Sequence, residues 1–183
     1  MTTKLADHHK LPGMVERAIN EQLTSLNLDY IDLYLIHSPW SLQPSANCWA
    51  LDDRTKWSQV DQNDRPIMAD VDPCDTWKEL EAFVDQDRIK SLGVSNFSEN
   101  QIDRILAMCR HRPQVNQVEC TPLLSQTPLL AYCTSNEILL TAYSPLGSVS
   151  ATFSGTKTVN ANLLEVSSLC QTHEHSFKYI IYL

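Results

Sequence analysis

The 183-residue sequence lacks any cluster of basic residues, and acidic residues predominate along its length. Lys and Arg total 14 against 22 Asp and Glu, which gives a formal net charge of −8. A surface that follows a phosphate backbone needs concentrated positive charge, so this balance argues against a nucleic-acid partner. Low-complexity runs are also absent, and 43% of the residues are apolar, which is enough for a folded core.

Long apolar runs are missing as well. No stretch reaches the length of a membrane span, and residues 1–9 contain no apolar segment typical of a secretory signal. The six cysteines form no CxxC pair. These features predict a cytoplasmic protein with reduced thiols and no membrane partner. His173 and His175 flank Glu174, but two histidines without a second group of ligands indicate a solvated helix end, so no metal site is predicted.

What the sequence does contain is an alternation of short apolar runs with amphipathic segments, which is typical of βαβ units and a parallel sheet. Residues 30–36 give the clearest strand, since a nearly continuous apolar run suits a parallel strand covered on both faces. Strands are predicted at residues 2–5, 30–36, 91–94, 115–119 and 138–143. Helices are predicted from Pro12 to Leu26 and at residues 75–83, 98–108, 127–133 and 163–170. Long loops are predicted at residues 38–72 and 147–162, the first with three tryptophans that either line a pocket or pack the loop against the rim.

Polar residues follow the predicted strands at their carboxyl ends. Ligand sites of α/β sheets and barrels gather at that end. His37 taken alone could be a satisfied core histidine, but the same pattern at five strand ends predicts a site. No GxGxxG accompanies these strands, which disfavours a nucleotide site of the Rossmann type. The residues concerned are Lys4, His37, Ser95, Asn96, Gln117, Glu119, Tyr143 and Ser144.

Several of these residues lie in recognisable motifs. The motifs are Thr2-Thr-Lys-Leu5, Leu35-Ile-His-Ser-Pro39, Lys90-Ser-Leu-Gly-Val-Ser-Asn-Phe97, Val115-Asn-Gln-Val-Glu-Cys120 and Ala142-Tyr-Ser-Pro-Leu-Gly-Ser148. In this order they resemble the aldo-keto reductase family, over residues 2–176. The resemblance implies an α/β fold, a partial (β/α)8 (TIM) barrel with about five of its eight strands, spanning residues 1–176. Residues 177–183 match nothing expected there and are predicted to be a divergent tail, so truncation at both ends is expected.

The resemblance also implies a chemistry, the NAD(P)H-dependent reduction of aldehydes and ketones to alcohols. A hydride passes from the nicotinamide to a carbonyl carbon, and the charge that develops on oxygen needs hydrogen-bond donors and a proton. Lys4 and His37 take the catalytic positions, and Trp40 is assigned to the substrate. The cofactor, NADPH or NADH, is assigned to Ser95, Asn96, Gln117, Tyr143, Ser144, Leu146 and Ser148. The partner is a small-molecule carbonyl compound, and the complete protein is expected to be monomeric.

Two departures from the family pattern qualify this expectation. Ser38 stands where many members carry an aromatic residue, and the family's proton-donating tyrosine and its aspartate belong to strands that would precede Lys4. The chain is therefore expected to be impaired or inactive alone. One alternative is a catalytically inert fragment that binds a cofactor or a partner. Another is a lysine-dependent barrel of the Schiff-base aldolase kind, acting through Lys4.

Overall fold

The computed structural model describes residues 1–49, 56–121 and 124–145. The chain divides into two compact units, residues 1–116 and 117–183. The strands of the described residues are β1 (Thr2–Leu5), β2 (Ile31–Ile36), β3 (Ser41–Leu42), β4 (Met68–Ala69), β5 (Ile89–Ser95), β6 (Val115–Glu119) and β7 (Leu139–Tyr143). The α-helices are α1 (Met14–Leu26), α2 (Pro73–Asp85), α3 (Glu99–Leu106) and α4 (Thr127–Ser135). The boundary between the units therefore falls inside β6.

The sheet of the first unit is parallel. Strand β1 pairs with β2, so that Lys4 lies opposite Leu35, and β2 pairs with β5, so that Leu35 lies opposite Gly93. The start of β6 follows β5 in the strand order. Strand β2 lies between β1 and β5, and its residues Ile31 and Tyr34 through Ile36 are fully buried. The continuous apolar run of β2 is thus explained by burial on both faces.

Gly93 allows β5 to approach its neighbours closely. A Cβ atom at this position would lie 2.6 Å from Cδ2 of Leu35 and 2.8 Å from the carbonyl oxygen of Val115. Both distances are far inside van der Waals contact, and one of the neighbours is backbone. The close packing of Leu35 and Val115 around position 93 therefore requires a residue without a side chain.

Local sequence signals set the ends of the helices. Helix α1 buries Val15, Ala18, Ile19 and Leu23 at helical spacing, and it begins two residues later than Pro12. Helix α2 has a polar cap, since Asp72 accepts a 2.9 Å hydrogen bond from the backbone N–H of Cys74, and Pro73 occupies the first turn. The same carboxylate pairs with Arg104 of α3.

The segment between β2 and α2 is more ordered than the predicted polar loop. Strands β3 and β4 pair antiparallel, with Ser41 opposite Ala69 and Leu42 opposite Met68. Two further bridges join Pro44 to Ser58 and Val60 to Pro66. The excursion is therefore a narrow antiparallel arm, although six of its residues, 50–55, lie outside the described part of the chain.

The tryptophans of this arm differ in their surroundings. Trp49 stacks on His9 with ring centroids 3.8 Å apart and also lies under the guanidinium of Arg17. Trp57 lies 5.1 Å from the ring of His8, in the short 3-10 helix Asp7–His9. These two side chains pack the arm against the segment between β1 and α1, and only Trp40, 48% exposed, points to solvent among the three.

In the second unit, β6 is the neighbour of β7, and α4 lies between them in the chain. The predicted loop 147–162, the helix 163–170 and the tail 177–183 lie outside the described residues, so the bounds of 1–176 for the barrel stay a prediction. Within the described ranges, none of the helices has the length and apolar character needed to cross a membrane.

Candidate functional site

The carboxyl ends of β1 and β2 bring Lys4 and His37 together. The backbone N–H of His37 donates a 3.2 Å hydrogen bond to the carbonyl oxygen of Leu5, which continues the pairing of Lys4 with Leu35. His37 is two residues beyond Leu35, and side chains two residues apart in extended chain share a face. The two polar residues assigned to catalysis therefore lie on one face of neighbouring strands.

The electrostatic surroundings of His37 keep its ring neutral near pH 7. The residue is solvent-exposed, but nearby protein atoms desolvate the imidazolium and lower its pKa. The carboxylate of Asp7 raises the His37 pKa, while the ammonium groups of Lys4 and Lys10 lower it. Burial also lowers the pKa of Lys4. A neutral imidazole at this place can donate one hydrogen bond and accept another.

Ser95 and Asn96 lie beside His37 at the end of β5. Ser95 is buried, and the side-chain amide of Asn96 donates to the carbonyl oxygen of His37 at 2.9 Å and to Oγ of Ser95 at 3.2 Å. Asn96 has a left-handed backbone, with φ of 63°, a conformation that asparagine tolerates better than most residues. The ends of β1, β2 and β5 are thus joined by hydrogen bonds through Leu5, His37 and Asn96.

Asn116 supports the backbone that follows Asn96, and the sequence did not reveal this role. It is fully buried in β6, and its amide nitrogen donates to the carbonyl oxygen of Phe97 at 2.9 Å, while its amide oxygen accepts from the Phe97 N–H at 3.5 Å. One side chain therefore pairs with both backbone groups of the residue that follows Asn96. A polar residue next to Val115, inside a predicted strand, was the available signal.

A second missed group lies behind His37. The ammonium of Lys10, which is 2% exposed, donates to Oδ1 of Asp7 at 2.8 Å and to the carbonyl oxygens of Ser38 and Trp40, each at 2.6 Å. Oγ of Ser38 lies 3.3 Å from the same ammonium and donates to Oδ1 of Asp7. The sequence signal was weak, since Asp7 and Lys10 look like ordinary surface charges. We call Asp7, Lys10 and Ser38 the buried lysine cluster.

The second unit carries the remaining assigned residues that the structure describes. Gln117 lies on β6, half-buried, and Tyr143 ends β7. Burial and the carboxylate of Glu119 raise the pKa of Tyr143, so this phenol is neutral near pH 7. Ser144 follows in a left-handed conformation, with φ of 49°. Leu146 and Ser148 lie outside the described residues.

The structure thus brings Lys4, His37, Ser95 and Asn96 together at the strand ends of the first unit, with Trp40 in the segment just after His37. In the second unit, Gln117 lies in the middle of β6, and Tyr143 and Ser144 lie at the end of β7. Among the residues that the structure describes, no group of three His, Cys, Asp or Glu side chains could hold a metal ion. The described groups are suited to hydrogen bonding, to orienting a polar substrate and to contacting a flat ring.

The chain is similar to known proteins in both sequence and fold. The model of the Aldo/keto reductase family matches residues 1–175. Aldo-keto reductase family 1 member C18 from Rattus norvegicus is 43% identical over 148 residues, which make up 80% of this chain and 43% of that protein. Prostaglandin F synthase 1 from Bos taurus is 41% identical over 148 residues, with the same two shares.

A solved structure, the aldose reductase from Giardia lamblia, matches this chain with a TM-score of 0.78 at 25% sequence identity. The match covers 94% of this chain and 53% of the aldose reductase chain. The predicted fold class, a partial (β/α)8 barrel with five parallel strands, is therefore confirmed. The chain spans 43% of the length of the curated relatives named above. A match of the family model over 175 of 183 residues, a range that includes the strand ends with Lys4, His37 and Asn96, shows that this chain belongs to the aldo/keto reductase family.

Proposed function

We propose that this chain supplies the cofactor-binding and carbonyl-orienting part of an NAD(P)H-dependent reductase of aldehydes and ketones. The observation that carries the proposal is the hydrogen-bonded group of strand ends, in which Asn96 bonds the His37 carbonyl while Lys4 lies close enough to influence the His37 pKa. This polar group lies at the carboxyl ends of parallel strands, where barrel enzymes place their chemistry.

The residues present fit a nicotinamide ring. Its carboxamide has one acceptor and two donors, and within the first unit the Ser95 hydroxyl and the Asn96 side-chain amide offer both kinds of partner. By resemblance to the family, Gln117 is assigned to the same carboxamide and Tyr143 to the ring, and Ser144, Leu146 and Ser148 are assigned to the pyrophosphate. The cofactor, NADPH or NADH, supplies the hydride when bound.

His37 and Lys4 have distinct roles in this proposal. The neutral imidazole of His37 donates a hydrogen bond to the substrate carbonyl oxygen and orients it, since its backbone is held on both sides by Leu5 and Asn96. The ammonium of Lys4 stabilises negative charge on that oxygen. Trp40, 48% exposed beyond His37, offers an apolar surface to the substrate.

We further propose that the isolated 183-residue chain turns over slowly or not at all. The assigned residues orient the substrate carbonyl and bind the cofactor, and none of them is assigned to donate a proton to the alkoxide. Loss of a general acid typically lowers a rate by about 10²–10⁴-fold. The second candidate function, an inert cofactor-binding module, is favoured by the balance of the assignments, since seven of the ten assigned residues are assigned to the cofactor.

A cofactor titration tests the shared part of both functions. NADPH is added to the full chain while tryptophan fluorescence is followed, for the unchanged protein and for Gln117→Ala. The matched control is Gln114→Ala, because Gln114 is exposed and, among the contacts described, its side-chain amide donates only to the carbonyl oxygen of Arg112. Gln117→Ala should weaken binding about tenfold, the loss of one hydrogen bond of about 1.4 kcal/mol. Equal affinities for the two variants would contradict the assignment.

A turnover assay separates the enzyme from the inert module. NADPH oxidation is measured with an aromatic aldehyde, for the unchanged chain and for His37→Gln. If the chain is a slow reductase, His37→Gln should abolish the residual rate and leave the affinity for NADPH within about twofold. Cofactor binding without any rate that depends on His37 supports the inert module instead.

A further inference from the structure

A buried charge lies in the connection between β1 and α1. The Lys10 side chain is only 1% exposed, and its counter-ion, the Asp7 carboxylate, is 17% exposed. Burying a lysine ammonium is costly, and an apolar side chain of similar volume often stabilises a protein at least as well. The charged pair is therefore poorly explained by stability alone, and its contacts point to a role beside His37.

The contacts of Lys10 are directed at the chain that follows His37. An ammonium has three N–H donors, and three close acceptors surround this one, namely Oδ1 of Asp7 and the carbonyl oxygens of Ser38 and Trp40. The two carbonyls belong to the first and third residues after His37. The hydroxyl of Ser38 adds a hydrogen bond to Asp7. Lys10 thus fixes the peptide segment on the C-terminal side of the imidazole.

The segment is held from the other side by the sheet. The N–H of His37 donates to Leu5, and the carbonyl oxygen of His37 accepts from Asn96. The backbone of His37 and of the three residues after it is therefore restrained at four points, counting the two carbonyls that Lys10 binds. Such restraint is what a side chain needs if it must present its ring in one orientation.

We propose that Lys10 and Asp7 are positioning residues for His37, which hold its segment in place and set the electrostatic field at its imidazole with opposite charges. The proposal rests on the proposed role of His37 in carbonyl reduction. Neither residue is assigned to bind substrate or cofactor. Their action is through the backbone of Ser38 and Trp40 and through charge.

The charged groups that face His37 come from two segments of the first unit. Asp7 and Lys10 belong to the connection after β1, and Lys4 belongs to β1 itself. Asp7 raises the pKa of His37, whereas Lys10 and Lys4 lower it. Removing one member of the Asp7–Lys10 pair therefore leaves the charge of the other uncompensated, and the two removals must act on His37 in opposite directions.

The test is an NMR titration of the His37 imidazole in the full chain without cofactor, with the signal assigned by its loss in His37→Gln. Lys10→Met should raise the pKa of His37 and Asp7→Asn should lower it, each by about 0.5, as expected for one partly screened charge nearby. The matched controls are Lys78→Met and Asp75→Asn, because Lys78 and Asp75 form an ion pair with the same spacing on the exposed face of α2. The controls should leave the His37 pKa unchanged.

Shifts in the same direction for both cluster variants, or no shift beyond that of the controls, would overturn the proposal. If Lys10→Met does not fold, Asp7→Asn decides alone, since it keeps both carbonyl acceptors of Lys10. The titration involves neither cofactor nor substrate, so its result is independent of whether the chain reduces carbonyls. Where turnover is measurable, both cluster variants should lower kcat and leave the affinity for NADPH unchanged, which a general loss of structure would not do.

Discussion

The side-chain amide of Asn96 donates a 2.9 Å hydrogen bond to the carbonyl oxygen of His37. This contact ties the end of β5 to the end of β2 across 59 residues of sequence. Its donor lies on a residue with a left-handed backbone. Position 96 therefore combines two separate demands, a side-chain donor and a positive φ, and substitutions can separate them.

Asn96→Ala should lower the free energy of unfolding by about 2 kcal/mol, with about 1 from the lost hydrogen bond and about 1 from the left-handed conformation. Asn96→Gly tolerates the positive φ and should therefore cost only the side-chain hydrogen bonding, about 1 kcal/mol, most of it from the bond to the His37 carbonyl. Urea unfolding followed by tryptophan fluorescence measures both values. A glycine variant as unstable as the alanine variant would show that the backbone conformation contributes nothing.

Gly93→Ala should lower the free energy of unfolding by about 1–3 kcal/mol, because the new methyl group overlaps Leu35 and the Val115 carbonyl. Denaturant unfolding provides the measurement, and the double variant with Leu35→Ala tests the cause. Because Leu35→Ala removes one of the two overlapping atoms, the double variant should lose less than the sum of the single losses.

Gly13→Ala is the matched control for that experiment. Gly13 has φ of 80°, but nothing lies within 4 Å of the position where its Cβ would stand. Its substitution introduces conformational strain without overlap, at a cost of about 1–2 kcal/mol. Combined with Leu35→Ala, this cost should be additive. Additive losses for Gly93→Ala as well would show that contact with Leu35 is not the source of its instability.

The stability of the first unit should fall in acid because of His8. Burial, reinforced by the charge of His9, lowers the pKa of His8 from 6.5 to about 4. Above pH 6.5 the imidazole is neutral in both states and adds no pH dependence. Between pH 6.5 and 4 the unfolded chain takes up a proton that the folded protein does not, so the free energy of unfolding falls as the pH falls, by about 2–3 kcal/mol in total.

Urea unfolding at several pH values between 7 and 4 checks this expectation. His8→Gln should flatten the dependence on pH, although His9, whose pKa burial also lowers, leaves some of it. Trp40→Phe, which changes an exposed tryptophan of the same arm and retains His8, serves as the control, with the steep dependence preserved. The same slope in His8→Gln and in the unchanged protein would rule out His8 as the source.

Local features of the sequence were enough to predict the strands of the main sheet. Strand β2 was predicted to within one residue from its nearly continuous apolar run. Strand β6 was predicted with its observed bounds from its place in the alternation of strands and helices, although three of its five residues are polar. Strands β3 and β4 could not be predicted in the same way. Each has two residues, and their pairing joins Ser41 to Ala69 across a long excursion, so neither has a periodic pattern of its own.

The candidate site was predictable in its strand-end positions but not in its supporting contacts. His37 and Asn96 stand next to apolar runs, where position along the chain reveals them. Lys10 gives no such signal, because its burial depends on carbonyl groups of Ser38 and Trp40 that are 28 and 30 residues away. Asn116 is similar, since its partner Phe97 lies 19 residues earlier. Contacts of this range depend on the folded backbone and leave no local pattern.

The arm between β2 and α2 is held in place at both of its ends. At the first end, Lys10 donates hydrogen bonds to the carbonyl oxygens of Ser38 and Trp40. At the second end, Asp72 caps α2 and forms an ion pair with Arg104. Residues between two such fixed points can change in number and kind without moving the strands below, because no strand of the main sheet depends on their register. Insertions or deletions within the arm should therefore leave the pairing of β1, β2 and β5 unchanged.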